Sequence, residues 1–119
     1  MLVELVLAGA LTGALTGAQA GASAGTAVPP SRAEMCLARV EDLIIEAGRE
    51  TGRVAGPSWF IRDWWMAKAE EAGKPLTREA RAVLVRQVAS ERAAAPEAAA
   101  SARRDCIQEA IDAGAVPGL

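Results

Sequence analysis

Three groups of side chains in this sequence have types and spacings that bear on chemistry. The first is Cys36 and Cys106, the only cysteines in the chain. Two thiolates leave a tetrahedral zinc site incomplete, and no histidine is present to fill the remaining positions. Their separation of 70 positions excludes a C-x-x-C redox pair. A structural disulfide is the reading that suits an exported protein, and two buried thiols the reading that suits a cytoplasmic one.

The second group is acidic. Glu41, Asp42, Asp63, Glu70, Glu71, Glu79 and Asp105 are nominal general acids or bases. With no histidine there is no Ser-His-Asp set, and no nucleophile elbow, phosphate loop or metal-binding helix motif occurs. Each carboxylate reads more simply as a solvated helix charge or a salt-bridge partner. Carboxylate-dependent hydrolysis therefore stands only as an alternative.

The third group lies in "GPSWFIRDWWMAKAEEAG", residues 56–73, which holds every aromatic side chain: Trp59, Phe60, Trp64 and Trp65. At helical spacing Phe60, Ile61, Trp64 and Trp65 share a broad side, while Trp59 and Met66 point elsewhere. One reading places Phe60, Trp64 and Trp65 in the core, where large rings fill space that alanines leave. The other makes Trp59, Arg62, Trp65 and Met66 a contact for a protein or peptide, since Trp and Arg are favoured interface anchors. A lipid contact fits less well, because Asp63, Glu70 and Glu71 interrupt any basic face.

These groups need elements to position them. "PSRAEMCLARVEDLIIEAG" opens with Ser31 and Glu34 in capping-box spacing. Ala33, Cys36, Leu37, Val40, Leu43, Ile44 and Ala47 then recur at intervals of three and four, leaving Glu41, Asp42, Glu46 and Arg49 off the apolar stripe. Met35 and Ile45 also fall outside it. A second helix follows Pro57–Ser58 and stops at Gly73. A third, from Thr77, carries Leu84, Val85, Val88 and Ala89, with Arg81 inside its apolar side. Pro96 starts a fourth, which aligns Ala99, Ala102, Cys106, Ala110 and Ala113.

The expected fold is an all-α, small four-helix bundle, with helices over 32–50, 58–72, 77–94 and 97–113. An antiparallel pairing of the outer helices would bring Cys36 and Cys106 together. A bridge of that span contributes about 4 kcal/mol in the loop-entropy account.

Before this domain runs "MLVELVLAGALTGALTGAQAGASAG", an apolar stretch with small-x-small sites ending at Ala20 and Ala24. It reads as an export signal over 1–24, followed by a flexible lead over 25–31, the helical domain over 32–114 and a tail over 115–119. Glu4 and the lack of basic residues before the apolar run are atypical, and an uncleaved membrane anchor is the competing reading. Repeated Gly and Thr argue against a span, which takes about 20 predominantly apolar residues.

The 119-residue chain has room for one domain. Its formal charge is −2 with signs interleaved, and its basic residues are arginine except for Lys68 and Lys74. No basic footprint for nucleic acid results. The combined expectation is a periplasmic or secreted protein, or in the alternative a membrane-anchored accessory, that binds or scaffolds another protein or peptide without metal or cofactor.

Overall fold

The computed structural model describes residues 29–73 and 76–118, and the stretch read as an export signal lies outside them. Four helices follow in chain order: α1 (Arg32–Thr51), α2 (Gly56–Glu71), α3 (Arg78–Ala94) and α4 (Pro96–Asp112). No strand occurs among the described residues. The protein is a small all-α domain closed by a Cys36–Cys106 disulfide, with Cα atoms 5.5 Å apart.

Local chemistry sets the helix ends. Ser31 Oγ accepts from the Glu34 amide at 3.1 Å, and the Ser31 amide donates to Glu34 Oε1 at 2.8 Å. That reciprocal pair satisfies two donors the first turn leaves free. At the other end Gly52 takes φ 73° and its amide returns to the Gly48 carbonyl. A side chain there would be strained, so glycine is the residue that turns the chain out of α1. Thr77 Oγ1 caps α3 by accepting from the Ala80 amide at 3.0 Å. Pro57 and Pro96 sit in the first turns of α2 and α4, where a missing amide proton costs nothing.

α1 packs against the three other helices, and α4 touches both α2 and α3. The main core joins Cys36, Leu37 and Val40 of α1 to Ile61 and Trp65 of α2 and to Cys106 and Ala110 of α4. Val116, in the segment expected to be a tail, folds back into this core and is buried. A smaller cluster joins Ala38 of α1 to Leu84 and Val88 of α3, with Met35 partly covering it.

Three expectations about facing are corrected. Phe60 was expected inside but is 48 % exposed; Ile61, Trp65 and Ala69 form the buried edge of α2 instead. These three recur every four residues, a narrower line than the broad side drawn from sequence. Asp42 was expected off the packing face but is only 3 % exposed. α3 lies over the polar side of α1, so that helix is covered on more than its apolar stripe. Ala113 is exposed beyond the end of α4.

Candidate functional site

The polar side of α1 meets arginines from two other helices. Asp42 Oδ2 accepts from Arg92 Nε at 2.9 Å and from Arg103 Nη2 at 3.0 Å, while Oδ1 accepts from Arg92 Nη2 at 3.1 Å. Glu46, one turn on, pairs with Arg92 at 3.1 Å and Arg103 at 3.0 Å. Each carboxylate thus meets both guanidiniums, and the planar arginine forks hold α1, α3 and α4 in one network. Arg92 is held above its ordinary pKa, chiefly by its hydrogen bond to Asp42 and further by the charges of Asp42, Glu46 and Glu50, with burial opposing. The network explains how a carboxylate survives burial here: its oxygens are occupied by charged donors.

Further along, Arg81 Nη2 donates to Glu41 at 2.9 Å. Its Nε is buried and makes no hydrogen bond among the described residues. These ion pairs floor one side of an open cleft of about 620 Å³ between α1, the start of α2 and α3. Ile44, Ile45, Val85 and Trp59 contribute apolar wall. The volume falls in the usual range for ligand sites, about 300–1,000 Å³.

Trp59 stands at this cleft, 42 % exposed, with the Arg62 guanidinium 5.1 Å from its ring centroid. Arg62 is itself fixed by two hydrogen bonds to Asp63, at 2.8 and 3.1 Å. The cation over the ring holds the indole in place while leaving area for a ligand.

Of the four contact residues expected from sequence, the structure brings Trp59 and Arg62 together at the cleft and separates the other two. Trp65 is 3 % exposed, and its Nε1–H donates to the Cys106 carbonyl at 3.0 Å. It packs edge-on against Trp64, with centroids 4.8 Å apart, and belongs to the core reading. Met66 is partly buried against the same core. Trp64 also packs there, with Lys68 Nζ 5.2 Å from its ring.

The remaining acidic candidates do not converge. Glu71 pairs with Lys68, and Glu70, Glu79 and Asp105 are exposed on separate helices. Among the described residues no group of His, Cys, Asp or Glu side chains is placed to hold a metal ion. No described helix is long and apolar enough to cross a membrane.

Apart from Arg62, sequence reasoning did not assign the arginines that line the cleft to a protein contact, Arg49, Arg78 and Arg86 among them. The signal was present in Arg81, an arginine inside an apolar stripe, opposite a helix whose acids recur one turn apart. No protein-family model, curated protein or solved structure matches the chain.

Proposed function

We propose that this chain is an exported, disulfide-closed helical module that binds a protein or peptide in the cleft beside Trp59. The observation that carries the reading is Trp59 itself: a half-exposed indole, stacked under Arg62, on the wall of a ligand-sized cleft. Large exposed aromatics beside arginine are the side chains most often found as binding anchors. Ile45 of α1, also substantially exposed and lining the same cleft, reinforces it.

Placement in the periplasm or outside the cell is supported by the disulfide, which persists in oxidising compartments, together with the leader composition. N-terminal sequencing of protein from the native host should find a start just after Ala20 or Ala24. A retained Met1 would reject cleavage.

The binding role is tested by replacing Trp59 with Ala. A partner co-purified from the envelope and titrated by calorimetry should bind the wild type saturably. The W59A variant should bind it at least about 30-fold more weakly, as for a hot-spot aromatic. Its melting temperature should stay close to that of the wild type, because Trp59 lies outside both buried clusters. Parallel loss of folding and binding would return Trp59 to a packing role.

A further inference from the structure

Resting on that reading of the cleft, we infer that its ligand is an acidic, extended peptide segment with an apolar side chain between two carboxylates. Six arginines line the cleft against four carboxylates. Glu41, Asp42 and Glu46 are already paired with Arg81, Arg92 or Arg103. Glu50 is then the lining carboxylate without an ion pair among the described residues, whereas Arg49, Arg78 and Arg86 are three such arginines. All three are exposed, so their charges face the solvent a ligand would replace. The surplus around the opening is positive even though the chain carries net charge −2.

Spacing selects the ligand's form. Arg78 and Arg86 stand eight positions apart on α3, which is about 12 Å along its axis. Two carboxylates at a matching spacing can meet one arginine each. Two carboxylates four residues apart in an extended chain are separated by about 13 Å. They also point to the same face, as does the residue midway between them. That middle side chain suits the apolar lining that Ile44, Val85 and Trp59 give the same cleft. Arg49, across the cleft on α1, adds a third cation to the same opening.

The probe is a short capped peptide with glutamates at its second and sixth positions and leucine at its fourth. It is titrated by calorimetry into the full, disulfide-intact chain at low ionic strength. A matched peptide with glutamine at both sites and vesicles of anionic phospholipid complete the set. Saturable binding of the acidic peptide, weakening at least about five-fold on the Gln exchange and with added salt, is the expected result. Arg78→Gln with Arg86→Gln should lower its affinity roughly ten-fold, or about three-fold per exposed pair, with unchanged melting temperature. Equal binding of the two peptides would overturn the acidic specificity and leave the binding role standing. Heat from neither peptide would overturn the inference, while the binding role would still rest on the Trp59 experiment. Tighter association with the vesicles than with the acidic peptide would replace a peptide ligand by a lipid surface.

Discussion

The two sides of α1 are held by different physics. Towards α2 and α4 it presents Cys36, Leu37 and Val40, each at most 1 % exposed, and the contact has an apolar centre, covalently closed and pinned by the Trp65–Cys106 hydrogen bond, with ion pairs from Arg103 and Glu109 of α4 beside it. Towards α3 it presents Ala38, Glu41 and Asp42, and the contact is a small apolar cluster beside a row of arginine–carboxylate pairs. Apolar burial is non-directional and grows with area. Ion pairs require geometry and bring a desolvation cost that offsets much of their attraction. The first side therefore supplies stability, and the second supplies orientation. It is the second side that leaves the cleft open, because charged side chains hold α1 and α3 together without filling the space between them.

That contrast can be broken most forcefully at the disulfide. Replacing Cys36 and Cys106 together by Ala should lower unfolding free energy by about 4 kcal/mol, from the 70-residue separation the bond spans. In a domain of this size that is a large part of the expected total of about 5–15 kcal/mol. Urea unfolding monitored by far-ultraviolet circular dichroism measures it. A loss below about 1 kcal/mol would show that packing alone closes the apolar side.

Asp42→Asn tests the polar side. The amide keeps the shape but removes the charge that both arginines share, so Arg92 and Arg103 lose their buried counter-ion. Removing one member of a fully buried pair costs about 3–5 kcal/mol, and the loss here should fall below that range because both arginines keep Glu46 and access to water. Hydrogen exchange should show α3 losing protection before α1 does. Uniform loss across all helices would mean that α3 is not the separately tethered element.

The comparison sharpens with one change of equal chemistry on each side. Leu37→Ala removes a side chain 1 % exposed at the centre of the main core, whereas Leu84→Ala removes one 9 % exposed in the smaller cluster. Leu→Ala costs range over about 2–5 kcal/mol according to how far the site can collapse. The Leu37 change should exceed the Leu84 change by about 1–2 kcal/mol in the same urea titration. Equal costs would put the two clusters on one footing.

Much of this was legible in the residues. Four amphipathic periods with Ser31, Thr77, Pro57 and Pro96 at their starts and Gly73 at the end of the second predict the helices to within a few positions. The placing of Cys36 early in α1 and Cys106 late in α4 anticipates their bridge. For the candidate site, Trp59 and Arg62 stood among four contact residues read from the sequence, and the structure places these two at the cleft. Trp65 was open to both readings, because type and spacing do not say which indole finds an acceptor.

Sequence determined what depends on neighbours along the chain: helix type, caps, periods and the residue classes each face offers. Tertiary structure alone decided which faces meet. A helical wheel assigns a carboxylate to the wet side by default, and Asp42 is dry only because α3 and α4 bring Arg92 and Arg103 onto it. Val116 is buried only because the chain beyond α4 turns back onto the core. The cleft has the same origin, as Trp59, Arg49 and Arg86 lie on three different helices. Burial and electrostatic pairing are set by distances through space, and the order of residues along the chain leaves those distances open until the helices pack.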